Sequence, residues 1–244
     1  MTAVCPGRSD DTPKNVMASD RRSVDQFLTQ ARVARPPAAR ATHRLIFSID
    51  ATASRQPTWD LACELHTELF TEAAQLGNIA IQLCYYRGIG EFAASPWTTT
   101  PAQLRDEMGV VSCRGGRTQL VRLLRHAVEQ AARHPLRGLI FIGDCFEENE
   151  SEALRAAGEL ALRGVPVFVF QEGRDRRAGR AFANIARITR GAHVPFDVDS
   201  AQELRRLLGA VAQYAVGGLP ALTDYARRHG TETTRALLSQ LSDR

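Results

Sequence analysis

From Arg44 onward, short apolar runs alternate with amphipathic segments, and this alternation constrains the fold more than any other feature of the sequence. The apolar runs have the length of strands, and the segments between them repeat apolar residues at helical spacing. Such alternation is typical of βαβ units, in which helices cover both faces of a parallel sheet. The predicted strands are residues 44–49, 79–86, 138–142, 165–170 and 192–196.

Three of the intervening segments present a clear apolar face. Their apolar residues are Ala62, Leu65, Leu69, Ala73 and Leu76 in the first, Leu120, Leu124, Ala127, Val128 and Ala131 in the second, and Leu204, Leu207, Leu208, Val211 and Ala215 in the third. We interpret each face as core packing. The sequence predicts helices at all three segments.

Residues 91–98 follow the second predicted strand after the short link Arg87-Gly-Ile-Gly90. This gap is too short for a crossover helix, so the segment is predicted to return as an antiparallel edge strand. Tyr85, Tyr86 and Trp97 are interpreted as strand-packing and rim residues. The expected fold is α/β: a Rossmann-like, three-layer, open and mostly parallel sheet with one antiparallel edge strand and helices on both faces.

The two ends of the chain differ from this pattern. Residues 1–43 are predicted to form a disordered tail, a short amphipathic helix over residues 22–33, and a linker rich in Pro, Ala and Arg. The sheet domain is predicted over residues 44–217. Gly217-Gly218 is expected to end its last helix, which leaves residues 218–244 as a C-terminal helical extension.

Composition excludes several classes of protein. The chain has no apolar run long enough for a secretory signal or a membrane span, and its five cysteines are scattered without a C-x-x-C pair. The formal charge is +4, yet the basic residues are almost all Arg and no aromatic residues interleave with them. We therefore expect a cytoplasmic protein with reduced thiols that binds neither nucleic acid nor a membrane.

Three polar motifs fall where the alternation places loops at the carboxyl ends of strands, the edge at which open α/β sheets bind ligands. They are Asp50-Ala-Thr-Ala-Ser54, Gly115-Gly-Arg-Thr118 and Gly143-Asp144. Together they offer the carboxylates of Asp50 and Asp144 and the hydroxyls of Thr52, Ser54 and Thr118. These are hard oxygen donors, which suit Mg²⁺ or Mn²⁺ better than zinc.

The charge of this donor set indicates what it can bind. Two carboxylates only neutralise a divalent ion, and hydroxyl ligands donate weakly, so a bound metal can still accept an anionic oxygen from outside. Each motif also has an ordinary structural explanation. Ser54 can cap a helix, Thr118 can precede a helix start, and Gly143-Asp144 can form a simple turn.

The combination of Asp-x-Thr-x-Ser, a separate Thr and a separate Asp resembles the metal-ion-dependent adhesion site of von Willebrand factor A domains. The resemblance covers about residues 44–217. It implies that Thr52, Ser54 and Thr118 are hydroxyl ligands and that Asp50 and Asp144 bind the ion directly or through water. A partner's Asp or Glu would take the open coordination position. The family usually has Ser where this chain has Thr52, and here the acidic pair Glu147-Glu148 follows Asp144.

The predicted function is therefore a metal-dependent protein-protein interaction module, not an enzyme. By the same resemblance, bacterial cytoplasmic domains of this family often serve as adaptors in assemblies, some with ATPases or chaperone-like machines. One alternative is an Mg²⁺-dependent phosphatase or phosphotransferase of haloacid dehalogenase type, which also places an Asp after its first strand. In that family a second Asp normally stands where this chain has Thr52. The other alternative is a metal-free scaffold.

Overall fold

The computed structural model describes residues 43–53, 56–74, 78–197 and 201–242. The described residues form six strands and eight helices. The strands are β1 (His43–Asp50), β2 (Ile79–Arg87), β3 (Glu91–Ala94), β4 (Leu136–Gly143), β5 (Val167–Glu172) and β6 (Ala192–Phe196). The helices are α1 (Gln56–Leu65), α2 (Thr67–Ala74), α3 (Pro101–Gly109), α4 (Leu120–Arg133), α5 (Glu150–Leu162), α6 (Arg176–Ile188), α7 (Ala201–His229) and α8 (Glu232–Ser242).

The strands form one sheet in the order β3-β2-β1-β4-β5-β6. All neighbouring pairs are parallel except β2 and β3, which are antiparallel. The predicted α/β sheet with one antiparallel edge strand is therefore confirmed. In the register of the two strands nearest the site, Asp50 at the end of β1 stands opposite Tyr86 of β2.

The sheet lies between two helical layers because residues of each buried strand alternate between its faces. Leu45, Phe47 and Ile49 of β1 belong to one core cluster, together with buried residues of α1, α2, α3, α7 and α8. Ile46 of β1 and Tyr86 of β2 belong to the opposite cluster, which contains buried residues of α4, α5 and α6. This is the three-layer arrangement expected from the sequence.

Some predicted boundaries were wrong. The helix predicted from Ala62 onward is two helices, α1 and α2, separated at His66, whose Nδ1 lies 2.5 Å from the Cys63 carbonyl oxygen. The predicted edge strand 91–98 is shorter, since β3 ends at Ala94 and an isolated antiparallel bridge pairs Thr98 with Ile81 beyond it.

Gly217-Gly218 ends a helix as predicted, because Gly218 lies outside the helical region and α7 consists of two helices that meet there at a kink. Gly218 has φ 67° and ψ −159°, a conformation that glycine adopts readily, and helical structure resumes directly after it as the second half of α7. Pro220 lies at the start of that second half, where its missing N–H breaks no helical hydrogen bond.

The structure describes most of the C-terminal extension but not residues 1–42. Residues 1–42, which include the predicted tail, amphipathic helix and linker, lie outside the described residues. The described part of the C-terminal extension joins the main core through Leu237 and Leu241 of α8. The side chain of Gln240 also bonds to both the N–H and the carbonyl of His193 in the edge strand β6.

The strand order defines the position of a ligand site. From β1 the chain first adds β2 and β3 on one side of the sheet and then β4, β5 and β6 on the other. Open α/β sheets bind ligands at the carboxyl ends of the strands where the order reverses in this way. Here that point lies between β1 and β4, which end at Asp50 and Gly143.

Candidate functional site

Asp50 is the last residue of β1, and only 1% of its surface is exposed. Its Oδ1 accepts a hydrogen bond from the backbone N–H of Thr52 at 2.8 Å, which fixes the carboxylate relative to the loop that follows. Between them, the Ala51 N–H donates to the Tyr86 carbonyl at 3.0 Å, and the Ala51 carbonyl accepts from the Arg114 N–H at 3.0 Å. The start of the loop after β1 is therefore held on both sides by backbone hydrogen bonds.

Thr52 and Ser54 were both predicted to supply hydroxyl ligands. Thr52 is half-buried and lies beside Asp50 in the cleft described below. Ser54 lies outside the described residues, so its role stays a prediction.

Thr118 stands two residues before α4 and is buried. Its Oγ1 accepts a hydrogen bond from the backbone N–H of Glu147 at 3.1 Å, and its side chain also hydrogen-bonds the carboxylate of Glu148. Thr118 therefore ties the loop that precedes α4 to the loop that follows β4.

A close backbone contact places the Gly115-Gly116 segment. The N–H of Arg117 donates to the Gly88 carbonyl at 3.2 Å. A Cβ atom on Gly116 would lie 2.1 Å from the Gly88 carbonyl oxygen, closer than any side chain can approach. Gly116 is therefore required by the packing of this loop against the β2–β3 turn, whereas a Cβ on Gly115 would meet nothing within 4 Å.

Asp144 follows Gly143, the last residue of β4, and is half-buried. A Cβ atom on Gly143 would lie 2.6 Å from Cζ of Phe141, so a glycine lets the chain pass over this ring. The Phe141 ring in turn stacks on Tyr86 with 6.2 Å between centroids. The turn after β4 therefore emerges beside the end of β1, on the same edge of the sheet.

These loops enclose one open cleft of about 280 Å³. It is lined by Asp50, Thr52, Ala53, Gly115, Gly116, Thr118, Asp144, Cys145 and Glu147. Four of the five predicted ligands therefore lie around one cleft, and the fifth is Ser54.

The donors in the cleft define what it can hold. Among the described residues, no group of three or more His, Cys, Asp or Glu side chains is placed to hold a metal, so any cation here would need hydroxyl oxygens as well. Burial, followed by the carboxylate of Asp144, raises the pKa of the Cys145 thiol to about 11, which keeps it protonated at neutral pH. The available set, carboxylates and hydroxyls, suits a hard divalent cation.

Glu148, which directly follows the cleft residue Glu147, binds the start of α4 and does not line the cleft. Its Oε1 accepts a hydrogen bond from the Leu120 N–H at 2.5 Å, and its Oε2 accepts one from the Val121 N–H at 3.1 Å. Burial raises the pKa of Glu148, and the bonds from these two N–H groups and from Thr118 oppose that shift. Glu148 thus caps α4, while Glu147 is the acidic residue that faces the cleft.

Tyr86 is a neighbour of the site that sequence reasoning assigned only to packing. It is fully buried, and burial together with the carboxylates of Asp50, Glu148 and Asp144 raises its pKa well above the usual value for a phenol. Its hydroxyl therefore lies among the acidic groups of the site. The available signal was its position at the carboxyl end of β2, on the same edge of the sheet as Asp50.

Comparison with solved structures identifies the fold. A von Willebrand factor type A protein from Catenulispora acidiphila aligns with a TM-score of 0.57 and 15% identity over 71% of this chain and 43% of that chain. Proximal thread matrix protein 1 from the mussel byssus aligns with a TM-score of 0.56 and 11% identity, over 69% of this chain and 46% of that chain. The SpRpn10 VWA domain aligns with a TM-score of 0.52 and 11% identity, over 67% and 95% of the two chains.

These neighbours show that the chain has the von Willebrand factor A (VWA) fold, as the resemblance of its motifs implied. At these identities the likeness shows the fold alone. The sequence matches no family model and no curated protein. The predicted cytoplasmic location stays a prediction.

No helix in the described ranges combines the length and the apolar character that crossing a membrane requires.

Proposed function

We propose that this chain is a protein-interaction module that holds a divalent cation, Mg²⁺ or Mn²⁺, in the cleft between the ends of β1 and β4. The observation that supports this most strongly is the placement of Asp50, Thr52, Thr118 and Asp144 around one cleft. They come from three separate loops, at the topological switch point of the sheet. Ser54 completes the proposed ligand set.

The arrangement favours recognition of an acidic partner. The two ligand carboxylates, Asp50 and Asp144, only neutralise a divalent cation, so the cation would keep a coordination position that can accept an anionic oxygen. Gly115 and Gly116 carry no side chain at the mouth of the cleft and leave room for an approaching Asp or Glu. Arg114 and Arg117, on either side of these glycines, are exposed and would attract an acidic surface.

The partner proposed here is therefore a protein that presents an Asp or Glu side chain. In keeping with the family resemblance, we propose that the chain acts as an adaptor in a cytoplasmic assembly, with an ATPase- or chaperone-linked complex as the candidate setting. The names of the structural neighbours describe those proteins and do not identify the partner of this chain.

The phosphotransfer alternative receives no support from the site. Such an enzyme needs an acid/base group two residues after its nucleophilic Asp, and Thr52 occupies that position with its N–H bonded back to Asp50. The sequence contains one lysine, Lys14, which precedes the described residues. In the cleft there is no lysine to neutralise a transferring phosphate.

Calorimetric titration of Mn²⁺ and Mg²⁺ into chelator-stripped protein tests the proposal. We expect saturable binding by the wild type, and loss of binding in Asp50→Ala and in Thr118→Ala, with circular dichroism showing that both variants remain folded. Thr99→Ala, in the loop before α3, serves as a control that retains binding. Absence of binding in the wild type would contradict the proposal and favour a metal-free scaffold.

A further inference from the structure

The buried hydroxyl of Tyr86 is not explained by packing. The ring of Tyr86 stacks on Phe141, and both side chains are fully buried in the core on the α4–α6 face of the sheet. A phenylalanine would fill the same space and make the same stacking contact. The hydroxyl therefore needs a separate reason to be there.

In the described part of the chain, the Tyr86 hydroxyl completes no hydrogen bond of regular geometry. A buried hydroxyl without a partner costs stability, because it gives up its bonds to water and gains none in return. Buried polar groups in this state usually point to strain, to function, or to a ligand that completes the group's surroundings.

The groups that surround the Tyr86 hydroxyl connect it to the proposed cation site. Tyr86 stands opposite Asp50 in the register of β1 and β2, and the Asp50 carboxylate lies within hydrogen-bonding reach of the phenol. Asp144 and Glu148 also lie near enough to act on it electrostatically. A phenol O–H is a hydrogen-bond donor, and the register of β1 and β2 places this one on the same face of the sheet as the Asp50 side chain.

We propose that Tyr86 is a positioning residue for the cation site, an inference that rests on the function proposed above. When a cation occupies the cleft, the Tyr86 O–H donates to the Asp50 carboxylate and so gains the partner that it lacks among the described residues. Together with the Thr52 N–H on Oδ1, it then holds that carboxylate in the orientation in which it faces the cleft. Groups that orient metal ligands in this way typically contribute 10- to 100-fold to metal affinity.

The test compares Mn²⁺ affinity and stability in Tyr86→Phe. We expect Mn²⁺ binding to weaken about 10- to 100-fold. We also expect the thermal unfolding midpoint of the metal-free protein to stay the same or rise, because the variant removes an unsatisfied buried hydroxyl. If Tyr86 had a purely structural role, Mn²⁺ affinity would not weaken while the unfolding midpoint stayed the same or rose.

Ser48→Ala is the matched control. Ser48 is also fully buried in β1, and its hydroxyl is likewise without a hydrogen-bond partner among the described residues. It lies two residues before Asp50, about 7 Å along the strand, too far to orient that carboxylate. We expect Ser48→Ala to leave Mn²⁺ affinity unchanged.

The outcomes separate this inference from the function on which it rests. Equal Mn²⁺ affinity in wild type and Tyr86→Phe would overturn the role of Tyr86 and leave the cation site standing. A loss of affinity in Tyr86→Phe that is matched by a loss of stability, or by an equal loss of affinity in Ser48→Ala, would also overturn it. Absence of Mn²⁺ binding in the wild type would overturn both proposals.

Discussion

Gly116 brings the loop before α4 into backbone contact with the β2–β3 turn, and no other residue fits there. The obstructing atoms are the backbone of Gly88, which cannot rotate away as a side chain can. Gly88 itself has a φ of 58°, so the turn it begins also depends on glycine. The position of Thr118 thus depends on two glycines that carry no functional group.

Replacing Gly116 with alanine should therefore disturb the site without removing a ligand. We expect Gly116→Ala to lower the free energy of unfolding by about 1–3 kcal/mol, as overpacking does, and to weaken Mn²⁺ binding. Urea unfolding and calorimetric titration measure the two effects. Gly115→Ala is the matched control, because its Cβ meets no atom within 4 Å. Equal effects of the two substitutions would contradict this account.

Local sequence motifs could predict the proposed ligand residues but not the residues that support them. Asp50, Thr52, Thr118 and Asp144 could be predicted because each belongs to a short motif at the carboxyl end of a strand or before a helix. The position of Tyr86 near this edge could be inferred from the end of β2, but the contacts of Tyr86 and Glu148 could not be predicted, because they depend on strand register and on distant parts of the chain. Local patterns carry no information about either.

At the scale of elements, α4 has an N-terminus that its own sequence does not cap. Gln119 occupies the cap position but makes no capping hydrogen bond with its side chain. The cap comes instead from Glu148, in the loop after β4, whose carboxylate binds the N–H groups of Leu120 and Val121. A carboxylate at this end also interacts favourably with the helix dipole.

Removing this cap should destabilise the protein. We expect Glu148→Ala to lower the free energy of unfolding by about 1 kcal/mol, the usual effect of losing a helix N-cap. Chemical denaturation measures the change. Glu147→Ala is the control, since the Glu147 side chain is exposed and makes no capping bond to α4. A smaller effect in Glu148→Ala than in Glu147→Ala would show that this cap does not stabilise α4.

Strands were easier to predict than helices. Strands buried on both faces give nearly continuous apolar runs, so the five parallel strands were located to within two residues at each end. Helices α3, α5 and α6 were not predicted, although the side chains of Thr100, Asn149 and Asp175 cap them by accepting hydrogen bonds from the N–H groups of Gln103, Glu152 and Ala178. The buried face of α5 is built largely from alanine, which gives a weaker apolar pattern than leucine or valine.

At the scale of the whole molecule, strand order explains why distant motifs share one site. Asp50 and Asp144 are 94 positions apart in the sequence, yet they follow neighbouring parallel strands that leave the sheet at the same edge. This convergence could be predicted from the βαβ pattern of the sequence. The proposed binding of a cation depends on it.

Localising bound Mn²⁺ by nuclear magnetic resonance tests that convergence most directly. Mn²⁺ broadens the amide signals of nearby residues, so substoichiometric addition to isotope-labelled protein should broaden signals from residues 50–53, 115–118 and 144–147 together. Signals from residues around Arg137 and Gly164, in a separate cavity that lies at the amino ends of β4 and β5, should stay sharp. Broadening confined to one of the three loops, or centred elsewhere, would contradict a shared cation site.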